Sequence, residues 1–277
     1  MEIRIKVTLI LFMLSFLMGC KSQNKDSSVT NPNEGDAFLD GGTSGNVYKT
    51  EIITLRDKIR NHKANRTDML ALCEKLLGNE SVKKDTATLE GIYFTYGIYL
   101  DGEKQFTKAE TALHSAETIV LNNHTKNQKF LLASIYTALA KIYGGLKSID
   151  KQLAMLKYVI ENFQDVDLPP ANIKEYYSTF AANTLGSIYE KTRRYDDGLN
   201  YFDSITQKYS NTRTSHAAQV QIYNLQMSKG DTVAADSTEK VLQKQLEEHP
   251  DYTIISSNVL EKWKAIKKGA TQHEKKE

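Results

Sequence analysis

The sequence predicts an all-α fold of repeated antiparallel helix pairs, and three observations carry that prediction. Beyond residue 46 prolines almost vanish, with only Pro169, Pro170 and Pro250 remaining. Apolar residues recur there at helical spacing, while the alternation of β-branched and polar residues that marks a strand is scarce. Finally, similar segments with small residues at corresponding places return several times along the chain, the signature of a repeat architecture.

The chain opens with a three-part export signal over residues 1–19. Arg4 and Lys6 give a positive start, Val7 to Phe16 is an almost uninterrupted apolar run, and Leu17-Met18-Gly19-Cys20 closes it. That run is short for a permanent span, which needs about 20 residues. The closing tetrapeptide resembles the bacterial lipobox, and the resemblance implies cleavage before Cys20 and acylation of Cys20. An ordinary signal with a coincidental cysteine is the alternative. Lys21 stands where that family's inner-membrane retention rule uses Asp, so the expected location is the outer membrane, lipid-anchored and facing the periplasm.

Residues 20–45 read as a flexible tether. Few apolar residues and many turn formers leave too little surface to offset the entropy of ordering. About 25 residues of such chain reach roughly 25–30 Å. The repeat domain is expected over 46–268 and a frayed tail over 269–277. Removing the signal leaves 34 basic against 33 acidic residues, so no electrostatic footprint for nucleic acid exists. With Cys20 acylated, Cys73 has no intramolecular partner; its place among Met69, Leu70, Leu72 and Leu76 predicts a buried, inert thiol.

Within the domain a helix pair is predicted at about 47–63 and 67–77. The first full unit follows, with Ile92 to Leu100 as its first helix, Gly97 as the small residue there, and Ala109, Leu113 and Ala116 on the second helix. In the second unit Ala140 takes the place of Gly97, and Gln152 departs from the expected small residue. The third has Gly186 and Gly198, with Phe202 and Ile205. A fourth, weaker one runs from Ile222-Tyr223 through Gly230-Asp231 and Ala235 to a stop at His249-Pro250. Small residues let paired helices approach closely, and large ones fill the gaps between pairs. Glu90, Ala133, Thr179 and His216 open the units, at steps of about 43, 46 and 37 residues. The extra residues are placed around Asn122–Lys126 and Asp165–Pro170. Ile255, Val259, Trp263 and Ile266 share one face of a final helix, expected to cap the stack.

These small and large positions resemble the tetratricopeptide repeat, whose own period is 34; a generic helical bundle is the alternative. The resemblance implies a right-handed α-solenoid of antiparallel helix pairs with a C-terminal capping helix. Gly198 to Thr212, followed by Ala217-Ala218, is similar to the inter-repeat stretch of BamD-like outer-membrane lipoproteins and of the periplasmic Tol–Pal coordinator, over about 80 residues. Tyr209-Ser210 replaces the usual Tyr-Pro.

That resemblance also implies a groove lined by the first helix of each unit. Its residues would be Phe94, Ile98 and Asp101; Thr137 and Lys141; Asn183, Ser187, Glu190 and Lys191; and Val220 and Asn224. Such a mixed surface suits a peptide or helix of another envelope protein. The expected function is a membrane-anchored periplasmic adaptor for envelope assembly or transport. A lipoprotein carrying a small ligand or lipid between its helices is the alternative. Catalytic patterns are missing: the six histidines are scattered, no close metal-ligand pair occurs, and Gly144-Gly145-Leu146-Lys147-Ser148 lacks the glycine spacing of a phosphate loop. An enzyme is not expected, nor a cofactor or metal.

Overall fold

The computed structural model describes residues 47–61, 63–123, 127–168, 173–253 and 255–256. All of these fall in one compact unit of the chain, Asn31–Glu277. The predicted export signal, Cys20, the predicted tether and tail, and most of the predicted final helix lie outside the described residues.

The described residues form eleven α-helices and no β-strand beyond one isolated bridge, Leu168 to Ile173. They are α1 (Val47–Arg60), α2 (Arg66–Leu77), α3 (Glu80–Lys83), α4 (Thr86–Gly102), α5 (Phe106–Asn123) and α6 (Gln128–Gly145), then α7 (Ile149–Asn162), α8 (Tyr176–Lys191), α9 (Tyr195–Lys208), α10 (Arg213–Lys229) and α11 (Thr232–Glu248). A 3₁₀ turn, Pro250–Tyr252, follows. Helices pack mainly on their neighbours in the chain, with α8 also lying against α10. No helix among the described residues is long and apolar enough to cross a membrane.

Local chemistry sets the boundaries. Asn65 and Asp68 form a reciprocal capping box at the start of α2. Asn79, Asp85, Thr212 and Asp231 cap α3, α4, α10 and α11 through their side chains. The short α3 falls between the predicted elements. Four residues between two capping side chains leave no periodicity to read.

Four turns share one geometry. Lys104, Lys147, Arg193 and Gly230 have left-handed backbones, with φ of 59°, 58°, 56° and 87°. After each, the next residue's N–H bonds the carbonyl five back: Gln105 to Leu100, Ser148 to Tyr143, Arg194 to Tyr189 and Asp231 to Gln226, at 2.9, 2.9, 3.0 and 2.9 Å. This is the Schellman closure, which satisfies the last carbonyls of a helix and reverses the chain. The differences between the four residue numbers are about 43, 46 and 37, the same steps as the small-residue pattern. Gly144-Gly145-Leu146-Lys147-Ser148 is therefore a helix-to-helix turn.

Each step is lengthened differently. The first is taken up by long helices, 18 residues each in α5 and α6. In the second, the connection after Asn162 holds the extra residues, as predicted around Asp165–Pro170. Glu175 anchors it: its N–H donates to Asp167 Oδ1 at 3.0 Å, and its Oε2 accepts from Thr214 N and Oγ1, both at 2.8 Å, at the start of α10. A carboxylate there complements the helix N-terminus.

The small residues sit at close approaches, and the partners differ from unit to unit. A Cβ on Gly97 would lie 2.8 Å from Leu113 and 3.3 Å from the Ala109 carbonyl, so α4 and α5 nest there as expected. In the second unit the large Gln152 is accommodated by Gly144, where a Cβ would lie 2.6 Å from Gln152 Nε2. Gly186 departs from expectation. It faces Gln221 of α10, where a Cβ would lie 2.2 Å from Oε1, so it admits the next unit's helix and not α9.

The largest core cluster runs from Ala133 to Leu225 and includes Tyr177, Leu185, Tyr189 and Phe202. A second surrounds Leu113, Leu131 and Leu139. Smaller ones close the two ends, around Met69, Cys73 and Ile92 and around Val220, Tyr223 and Leu242.

Candidate functional site

The first helices of the four units, α4, α6, α8 and α10, are joined by a ladder of polar contacts. Lys141 Nζ lies 2.7 Å from Asp101 Oδ2, linking α6 to α4. Ser134 Oγ meets Tyr177 Oη at 2.7 Å, between α6 and α8. From α8 to α10, Ser178 Oγ meets Thr214 Oγ1 at 2.7 Å, Gln221 Nε2 donates to Asn183 Oδ1 at 2.8 Å, and Ser228 Oγ donates to Glu190 Oε1 at 2.6 Å. Buried polar groups need such partners, and each satisfied pair fixes the register of one helix against the next.

The predicted groove residues divide under this arrangement. Phe94 is 1% exposed and Val220 is 3% exposed; both are core residues and leave the groove set. Asp101 is also buried, and its carboxylate is taken by Lys141. Phe94, Thr137, Asn183 and Val220 stand at corresponding positions of the four units, and that row turns towards the neighbouring helices: the apolar members are buried and the polar ones half-buried. Ile98, Thr137, Asn183, Ser187 and Asn224 are half-buried, and Lys141, Glu190 and Lys191 are exposed. Asn183 and Glu190 pair with α10, and Lys141 with α4. A residue not predicted, Met227, joins this set: it is 37% exposed near the end of α10. Its position matches that of Glu190 one unit earlier, which the 37-residue step would have shown. Thr137 Oγ1 is buried and has no hydrogen-bond partner among the described residues.

On the second helices, Glu117 of α5 collects two partners. Tyr136 Oη donates to Oε1 at 2.6 Å, and His114 Nδ1 lies 2.7 Å from Oε2. Burial first, then this carboxylate, pushes the Tyr136 hydroxyl pKa up. His114 is exposed and hydrogen-bonded to this carboxylate. Cys73 is fully buried; burial foremost, with Glu74 adding, pushes its pKa up to about 12. Its thiol stays protonated, in line with the inert role read from its neighbours.

One constellation escaped sequence analysis. His216 of α10 lies between Gln245 of α11 and Ser256, with Nδ1 2.8 Å from Gln245 Oε1 and Nε2 2.5 Å from Ser256 Oγ. Serine, imidazole and an orienting amide are the connectivity of a nucleophile and its base. Here both Ser256 and His216 are 0% exposed, so no substrate carbonyl reaches the hydroxyl, and the contact joins helices. Its members are 29 and 40 residues apart, so no local pattern in the sequence links them. Among the described residues no group of three or more His, Cys, Asp or Glu could hold a metal ion.

No protein-family model, no curated protein and no solved structure matches the chain. What the described residues define is an all-helical protein whose helices pack on their neighbours, with corresponding turns at four places and a polar ladder joining alternate helices.

Proposed function

We propose that this chain is a lipid-anchored periplasmic adaptor with tetratricopeptide-like, right-handed repeats, which binds other envelope proteins along α4, α6, α8 and α10. The observation that carries this reading is the fourfold recurrence of the Schellman turn at the steps of the small-residue pattern. Repetition of a helix pair gives successive first helices equivalent roles, and a row of equivalent helices forms an extended surface for a peptide or helix. The composition of that row supports the same reading. Ile98 and Met227 give the row apolar contact, and Lys141, Glu190 and Lys191 are exposed charges of both signs. The ladder holds the row rigid, so little entropy is lost there on binding. Cys20 and the tether would attach the domain to the outer membrane and let it reorient towards a partner.

The reading is tested by recovery of partners from crosslinked membranes with the full chain. One protein should be captured reproducibly by wild type, and several-fold less by Lys191→Glu. Lys141 is unsuited to the same test, because its reversal would leave the buried Asp101 facing a second carboxylate. Recovery of no protein, or equal recovery by Lys191→Glu and wild type, contradicts the proposal.

A further inference from the structure

The turns that join first and second helices in the four units lie side by side along one edge, and three ion pairs place them there. Lys141 at the end of α6 meets Asp101 at the end of α4 at 2.7 Å. Arg194, just after the third turn, reaches Asp150, just after the second, at 3.3 Å. Lys229, just before the fourth turn, meets Asp196, just after the third, at 2.6 Å. Gly145 before the second turn also admits the Phe106 ring that follows the first. Each ion pair spends a carboxylate of this edge on a cation of the next unit, and Asp197 is held by Arg194 as well.

The charge left over is mainly basic. Lys104, Lys147 and Arg193 hold the same left-handed position in the first three turns, and all three are exposed. Their side chains make no ion pair or hydrogen bond among the described residues. Lys108 and Lys151 add exposed cations in the helix turns that follow. Against these stand Glu103, Glu190 and Asp231, the last two already accepting from Ser228 and from the Ala234 N–H. Glycine adopts the left-handed backbone without strain, so a long side chain there carries a conformational cost. The helix macrodipole favours a cation at a C-terminus, but α8 already has Lys191 in its last turn, and Arg193 adds little of that kind.

Aliphatic side chains share the edge. Ile149, two residues beyond Lys147, is 40% exposed, and Val233, three beyond Gly230, is 78% exposed. Cations beside exposed aliphatics suit a surface that rests on a bilayer: lipid phosphates attract the first, and the boundary between headgroups and acyl chains takes up the second.

We propose that this edge rests on anionic phospholipid headgroups through Lys104, Lys147 and Arg193, with Ile149 and Val233 alongside, and so fixes how the domain stands on its membrane. The choice of a bilayer rests on the lipid anchor of the proposed function, whose tether of roughly 25–30 Å keeps the domain within contact of the surface. Each basic residue at an anionic surface contributes about fivefold to binding, so the three together contribute roughly a hundredfold.

The test uses the full chain purified from membranes and returned to vesicles of phosphatidylcholine, alone or mixed about two to one with phosphatidylglycerol, all carrying a headgroup quencher. A fluorescent non-natural residue is placed at Thr107, exposed in the first turn of α5, or at Leu121, about 21 Å further along the same helix. Quenching in the anionic vesicles should be several-fold stronger at position 107 than at 121. It should fall in neutral vesicles and in about 0.5 M salt. The triple variant Lys104→Gly, Lys147→Gly, Arg193→Gly should lose the preference while melting at or above wild type. Equal quenching at both positions, quenching that ignores lipid charge, or a triple variant that melts lower yet is quenched like wild type overturns the edge contact. Sedimentation with neutral vesicles reports the anchor separately, because acyl chains insert whatever the headgroup charge. A chain that sediments with them but shows no charge-dependent quenching keeps the anchor and loses the edge contact; the reverse result keeps the edge contact and removes the anchor.

Discussion

Glu90 contributes to the pH dependence of stability from inside the fold. It is 2% exposed at the start of the first full unit, and its Oε2 has no hydrogen-bond partner among the described residues. Burial pushes its pKa up to about 7; an Asn123 hydrogen bond pulls it back, and Asp85 raises it further. A carboxyl whose folded pKa exceeds the unfolded value of 4.5 stabilises fully below that value and loses its contribution as pH rises through about 7. Glu90→Gln should therefore flatten the fall in stability between about pH 5 and 8, and gain up to about 3 kcal/mol at the alkaline end. Urea midpoints across that range measure it, and an unchanged slope would show that Glu90 ionises as readily in the folded chain as in the unfolded one. Neither Glu90 nor His216 was legible as buried. Each is polar, each opens a unit in the repeat alignment, and burial there is decided by contacts between units. Cys73 was legible, because its apolar neighbours are local in sequence.

At the scale of the element, the helices were largely legible and their turns were not. Apolar spacing and small residues located α1, α2 and the four pairs, since both signals arise within one helix or one pair. The left-handed turns were hidden because three of four carry Lys104, Lys147 and Arg193 where glycine is the usual residue. An L-residue in that conformation costs about 1 kcal/mol. Lys147→Gly should raise stability by about 0.5–1 kcal/mol and Gly230→Ala should lower it by about 1 kcal/mol. No atom lies within 4 Å of the added methyl at Gly230, so the cost there is purely conformational. Equal melting temperatures for both variants and wild type would remove the turn from the account. Nesting makes a stronger demand. Gly97→Val drives two further methyls at Leu113 and the Ala109 backbone, and should cost about 3 kcal/mol or more, read as a shift in denaturant midpoint. A loss below about 1 kcal/mol would mean that α4 and α5 separate freely.

For the whole molecule, repetition was legible and its consequences for orientation were only partly so. The steps of about 43, 46 and 37 appear both in the small residues and in the left-handed turns. The extra residues are absorbed by longer α5 and α6 in one case and by the Glu175-anchored connection in another. Phe94 and Val220 occupy one repeat position, and both are buried because that position faces neighbouring helices, whereas Ser187 and Asn224 of the first-helix row are half-buried. The account's central claim is that this row, and not the second helices, receives a protein partner. A photo-crosslinking residue at Ser187 of α8, compared in intact cells with one at Leu121 of α5, which is 44% exposed, tests it directly. The claim predicts one discrete adduct with another envelope protein from position 187 and none from position 121. Adducts of the same protein from both positions, or from 121 alone, would contradict it.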